Sequence, residues 1–290
     1  RFGARISGSL ADEAGELRVE GIESLLQLFI AGNLIEQHVV GDTLTAESKK
    51  RREALLGDDV IVSVPAPKRL RLDFAKNHIV HWFVERAIVS VGMLAPVRET
   101  SLDPATTAWS TLSERVRSIS SLLKYEFSFR TDTDFSTIFA DVIEGMRDGG
   151  ELALVAGQAE PMLMLGPGRE GLDGGGYVRL YAGMLRCFLD GYRVAARGLR
   201  VLLKGPLEAK ELTGRILKVG ERMFLEGDIS RSEAVNRPLF ENALKAFVDL
   251  GYLRRVEGKL ALQESFAGEH TIGTVEARVA ALIPPLIAAS

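Results

Sequence analysis

Apolar side chains recur at i, i+3, i+4 and i+7 along most of this 290-residue chain. That rhythm commits it to helices before any other property is considered. It predicts helices over 21–32, 44–56, 77–94, 109–124, 134–148, 178–204, 207–226, 231–250 and 274–288. Breakers separate them at Gly41, Pro65 with Pro67, Pro104, Gly149 with Gly150, Gly205 with Pro206, and Gly227. Three stretches depart from the rhythm in one shared way: ALLGDDVIVSVPAPKRLRLDF, MRDGGELALVAGQAEPMLML and FVDLGYLRRVEGKLALQ. Each leaves a helix, passes glycine and enters two short segments of strand character. Alternation in LRLDF and KLALQ supports paired strands, and VEGK supplies a hairpin turn.

A helix followed by a two-stranded wing is the local plan of winged-helix modules. The expected fold class is therefore mainly α, a multi-helix array with two or three short β-hairpin, winged-helix-like insertions. The expected layout is a helical region over 1–165 with wing-like hairpins near 58–74 and 150–165. A flexible glycine-rich loop over 166–176 follows. A second helical region, 177–290, ends in a winged-helix-like unit at about 231–263 and a C-terminal helix.

Composition narrows the function classes. The chain is 46% hydrophobic and 26% charged with a net charge of -3, and no block of like charge exceeds Lys49–Arg52. Nucleic-acid surfaces need a basic excess, and the helix RPLFENALKAFVDLGY sets Glu241 and Asp249 beside Arg237 and Lys245. No nucleic-acid partner is expected. The lone cysteine, Cys187, excludes an intrachain disulfide and a Cys-rich metal cage, and its place in MLRCFL points to core packing. The longest apolar candidate, Ala87–Val97, is eleven residues and falls short of the roughly 18 to 20 needed to span a bilayer. The chain opens on Arg1 rather than Met, and the expectation is that an N-terminal portion precedes it.

Four motifs invite a chemical reading. Gly166, Gly168 and Gly171 make a literal G-x-G-x-x-G, with Asp190 where a ribose-binding acid would fall. A dinucleotide site needs a helix N-terminus directly after the glycines, with its amides free for phosphate. Here LDGGG follows, so a loop is expected. His78, His81 and Glu85 fall at i, i+3 and i+7 of one helix, but a zinc site needs further ligands, and His38 and His270 are distant in sequence. Packing or hydrogen bonding between helices is the expected role of the two histidines. Ser7, Ser9 and Ser230 lack the G-x-S-x-G elbow of a nucleophile. No histidine has an aspartate five positions later, the arrangement expected of a His and Asp held in one acyl-transfer loop; His38 with Asp42 is one residue short.

Three further stretches carry a resemblance. Asn77, His81 and Phe83 fill the pattern apolar, Asn, three residues, His, one residue, Phe. FLDGYRVAARGL, 188–199, sets an acid and Tyr192 before apolar turns. Residues 220–253 contain Gly, then Glu233-Ala234, then Asn242-Ala243-Leu244, then a closing Gly-apolar pair. In order and spacing, from about residue 20 to 265, the chain resembles the C-terminal half of the long bacterial membrane-associated glycerol-3-phosphate acyltransferases, relatives of the dihydroxyacetone-phosphate acyltransferases. It departs from them at Lys76, where Arg is common, and at Ser232, where an aromatic is frequent.

The resemblance implies that catalysis belongs to an N-terminal α/β domain of the parent protein, where a His serves as general base on the glycerol-3-phosphate hydroxyl. The implied acyl donor is acyl-CoA or acyl carrier protein. The implied partners of this chain are that catalytic domain and, peripherally, the cytoplasmic side of the cell membrane. No catalytic residue, cofactor or metal carries over onto this sequence. Asn77, His81, Phe83, Tyr192, Glu233 and Asn242 are expected as signature residues with structural roles. Lys49 with Lys50 and Arg254 with Arg255 are basic pairs that could meet anionic headgroups, solvated surface charge being the simpler expectation. A free-standing winged-helix module that binds another protein is the alternative.

Overall fold

The computed structural model describes residues 18–39, 60–95, 106–129, 133–155, 160–168 and 173–283. The chain divides into two compact units, Arg1–Trp82 and Phe83–Ser290. Among the described residues both are mainly helical with small antiparallel sheets. The expected helix over 44–56 lies outside the described residues.

In the first unit α1 (Val19–Ala31) ends at Gly32, and Asn33 turns the chain with a φ of 52°. Strand β1 (Glu36–Val39) pairs antiparallel with β2 (Val60–Ser63), Glu36 opposite Ser63. The next helix, α2, spans Ala66–Leu94 and reaches into the second unit. This corrects the expected hairpin near 58–74. VIVS is a strand, but its partner is EQHV far upstream, and LRLDF is helical. Three alternating apolar residues are too few to resist the long helical pattern behind them. Pro65 and Pro67 sit at the helix start, where a missing N–H costs nothing, and the Lys68 N–H donates to the Pro65 carbonyl at 2.8 Å.

In the second unit a three-stranded sheet of order β3-β5-β4 joins β3 (Thr106–Ala108), β4 (Leu152–Val155) and β5 (Met162–Leu165). The β4–β5 hairpin expected near 150–165 is present, with Leu152 opposite Leu165. Helix α3 (Trp109–Leu122) buries Leu112, Val116, Ile119 and Leu122. Helix α4 (Phe135–Asp148) is capped by Asp134, whose carboxylate accepts from the N–H groups of Ser136 and Thr137.

The segment expected as one helix over 178–204 is three: α5 (Gly174–Met184), α6 (Arg186–Gly198) and a 3-10 turn over Leu199–Lys204. The break falls at Leu185, which is completely buried and lies two residues after Gly183. Helix α6 is the centre of the unit, burying Cys187, Leu189, Tyr192, Val194, Ala195 and Ala196 among its residues. It packs against α7 (Ala209–Leu225), α8 (Arg237–Asp249) and α9 (Glu269–Ala280). Three glycines let these helices close up. A Cβ on Gly191 would stand 2.1 Å from Leu239, one on Gly198 2.6 Å from Ile216, and one on Gly220 2.9 Å from Val235.

The clearest wing is where VEGK placed it. β6 (Leu253–Val256) and β7 (Lys259–Leu262) pair across Glu257 and Gly258, whose φ angles of 50° and 81° are those of a tight hairpin turn. Leu207 bonds to Leu260 through both backbone groups, so β7 lies between β6 and a one-residue strand ahead of α7. Asn236 caps α8, and Pro238 occupies its first turn.

Candidate functional site

Two signature residues meet around one carboxylate. Tyr192 is completely buried, and its hydroxyl donates to Glu126 Oε1 at 3.0 Å, from α6 to the turn after α3. Burial pushes the Glu126 carboxyl up, while the Tyr192 hydroxyl, the Asn242 amide and the Lys245 charge pull it back. Burial likewise pushes the Tyr192 hydroxyl far above its ordinary value. Asn242 on α8 also donates to the Tyr125 carbonyl at 3.1 Å. Beside it the Tyr125 hydroxyl donates to Asp249 at 2.6 Å and Lys124 pairs with Asp249 at 2.7 Å. Those bonds hold the exposed Asp249 carboxyl below its usual value. The cluster fastens α3, α6 and α8 together.

Phe83 stacks on Tyr181 of α5, ring centroids 5.9 Å apart. Tyr181 donates to Glu151 at 3.3 Å, and the buried Glu151 carboxylate forms an ion pair with Arg86 of α2. Arg86 also donates to the Gly145 carbonyl at 3.1 Å. Glu151 and Glu126 are absent from the sequence expectations: Glu151 stands in GGEL, with nothing locally to mark it as buried. Glu233 sits in a 3-10 turn (Ser232–Ala234), and its carbonyl accepts from Asn236 at 2.7 Å. His81 is exposed on α2, and the side chains of Asn77 and His78 lie outside the described residues. His38 is exposed on β1, 2.9 Å from the Ser63 hydroxyl, and His270 is exposed on α9.

The glycine-rich segment is not a loop to its end. Helix α5 begins at Gly174, and Asp173 caps it through the Gly176 N–H. The expected loop over 166–176 is corrected there; residues 169–172 lie outside the described residues. The reason is close backbone packing, since a Cβ on Gly174 would stand 2.4 Å from the Gly166 carbonyl oxygen and 2.6 Å from that of Glu151. A carboxylate at the helix start repels phosphate. Asp190, the would-be ribose acid, is buried in α6. Arg186 lies 3.6 Å from it, and Arg193 and Arg231 add their charge, while burial pushes its carboxyl up.

Three cavities in the second unit differ in character. One of about 320 Å³ sets Ile88, Val89, Val116, Phe135 and Phe139 beside Glu85, Arg117 and Lys124, with the Arg117 guanidinium 4.1 Å above the Phe135 ring. A second, of about 380 Å³, carries charges that compensate one another: Arg197 bonds to Asp228 and Glu276, and Arg222 to Glu226.

The third, of about 550 Å³, lies between α7, α8 and the wing. Among the described residues, Lys210, Arg237, Lys245 and Arg255 line it with Glu241 as the one acid, above Leu244, Val248 and Leu260. Of the two acids that set the charge of α8 in the sequence, Glu241 lines the groove and Asp249 does not. Asp249 bonds instead to Lys124 and Tyr125. Among the described residues no three His, Cys, Asp or Glu side chains converge as a metal site requires. None of the described helices is long and apolar enough to cross a membrane.

A family model described as the glycerol-3-phosphate acyltransferase C-terminal region matches residues 6–256. Among curated proteins the chain is similar to the "Putative acyltransferase plsB1" of Mycobacterium bovis and of Mycobacterium tuberculosis, 27% identical over 192 residues. The match covers 65% of this chain and 29% of the relative, so it spans less than a third of the length of those proteins.

Proposed function

Since the chain belongs to the family of glycerol-3-phosphate acyltransferase C-terminal regions, we propose that it is the helical C-terminal part of a glycerol-3-phosphate 1-O-acyltransferase. The parent enzyme moves a fatty acyl group from acyl-CoA or acyl carrier protein to the sn-1 hydroxyl of glycerol-3-phosphate in phospholipid synthesis. The family match over residues 6–256 carries this reading.

In this reading the chemistry resides in an N-terminal catalytic domain of the parent, and the chain supports that domain at the cytoplasmic face of the cell membrane. The polar clusters fit such a role. Glu126 with Tyr192 and Asn242, and Glu151 with Arg86 and Tyr181, bond to each other across helices and leave no base poised beside a nucleophile. The first unit presents Leu25, Leu28, Phe29, Ile61, Ile79 and Trp82 to solvent. Large exposed apolar side chains of this kind are commonly covered by a partner, here the rest of the parent. Asn77, His81, Phe83, Tyr192, Glu233 and Asn242 are structural in this reading.

The test is transfer of a labelled acyl group to glycerol-3-phosphate. The 290-residue chain alone gives background and the parent protein gives turnover. Robust turnover by the chain alone contradicts the reading.

A further inference from the structure

The groove between α7, α8 and the wing has no role in the reading above, and its chemistry is distinctive. It gathers four cations against one acid in a chain whose net charge is -3. Lys210, Arg237 and Arg255 are exposed and form no ion pair among the described residues. In the cavity lined by Arg197, Arg200 and Arg222, by contrast, Arg197 and Arg222 are each matched by a carboxylate. The contrast singles out the groove as an excess of unpaired positive charge, which favours an anionic ligand.

The floor narrows the class. Leu244, Val248, Leu260 and Ala209 are apolar, and among the described residues no aromatic ring lines the groove on which a base could stack. Single-stranded nucleic acid gains much of its affinity from such stacking. About 550 Å³ is the size of a small-molecule site and small for a docked protein helix. A monoanionic carboxylate would leave most of the rim charge unmatched, whereas a phosphomonoester carries about -1.5 to -2 near neutral pH. We propose that this groove binds a single-chain amphiphile headed by a phosphomonoester. The phosphate would sit among Lys210, Arg237 and Arg255, and the first carbons of the chain on Leu244, Val248 and Leu260. The groove's composition carries this alone, so it stands or falls separately from acyl transfer.

Titration calorimetry of the 290-residue chain with dodecyl phosphate, kept below its micelle concentration, tests it. Saturable one-to-one binding is expected, at least tenfold tighter than inorganic phosphate and with no comparable uptake of the neutral dodecyl maltoside. The double variant Lys210→Glu with Arg255→Glu should bind at least tenfold more weakly while melting at the unchanged temperature. If that variant fails to fold, Arg237→Gln, exposed in the first turn of α8, should show a loss of at least severalfold. Equal binding of the neutral detergent, unchanged affinity in a folded charge variant, or tighter binding of a single-stranded oligonucleotide overturns the proposal.

Discussion

Replacing Tyr192 with phenylalanine removes one oxygen and keeps the ring, including its edge-on contact with Phe247 at 6.1 Å. What is lost is the 3.0 Å bond to Glu126. The carboxylate is left half-buried without its main donor, at a cost of about 1–3 kcal/mol. For a unit of this size that lowers the melting temperature by roughly 2–12 °C. The pH dependence makes the test sharper. Burial already holds the Glu126 carboxyl above its ordinary range, and Tyr192 is the first of the groups that draw it back. Without that hydroxyl the folded-state pKa rises further. A carboxyl whose folded pKa exceeds its unfolded value stabilises fully below the unfolded pKa, and that contribution is lost as pH rises through the folded one. The variant's deficit should therefore be small in acid, widen as pH climbs through and just above the ordinary carboxylate range, and level off toward neutrality. Urea unfolding of both proteins across pH measures it. A deficit independent of pH, or none at all, refutes the role assigned to Glu126.

The other expectations concern packing and the second buried acid. Gly191→Ala should destabilise by about 1–3 kcal/mol through overpacking against Leu239 and the Ala234 carbonyl, less up to about 1 kcal/mol of helix propensity gained. Gly214→Ala, mid-helix with nothing within 4 Å of the new methyl, should stabilise by about 0.4–1 kcal/mol; thermal unfolding that shows the two behaving alike would contradict the close approach of α6 and α8. Glu151→Ala leaves the Arg86 guanidinium unpaired. The cost should be about 3 kcal/mol, the low end for a broken buried pair because the Arg86 side chain is 33% exposed; a chemical denaturation midpoint equal to the parent chain's would show that the pair does not hold α2 to β4.

What the sequence shows and hides follows from the range of the interactions involved. The wing at 253–262 is legible because its turn is local: Glu257 and Gly258 accept positive φ, and alternation continues on either side. Helix α4 is legible for the same reason, from the cap at Asp134 to Gly149. Strand pairings are not local. Nothing in EQHV points to VIVS more than twenty residues on, and β3 joins β5 across α3 and α4. The break at Leu185 is faint in the sequence, since Leu185 reads like any other apolar helix position and only Gly183 stands near it.

Glycine misled in the other direction. In LDGGGY it reads as looseness, but at Gly174 it is the residue that fits between two backbone carbonyls. Among the signature residues, Tyr192 and Asn242 lie far apart in sequence and meet only through Glu126, which no spacing pattern could nominate. The cationic groove was hidden because its charges come from α7, α8 and β6, and because one acid counted against it points elsewhere.

The central claim is that this chain completes a glycerol-3-phosphate acyltransferase without performing the chemistry. It is tested most directly by expressing the remainder of the parent protein separately and measuring acyl transfer to labelled glycerol-3-phosphate, with and without the 290-residue chain added. Turnover is predicted only when both parts are present, with the added chain restoring activity in a saturable way. Full activity of the remainder alone, or turnover by the 290 residues alone, would contradict the account.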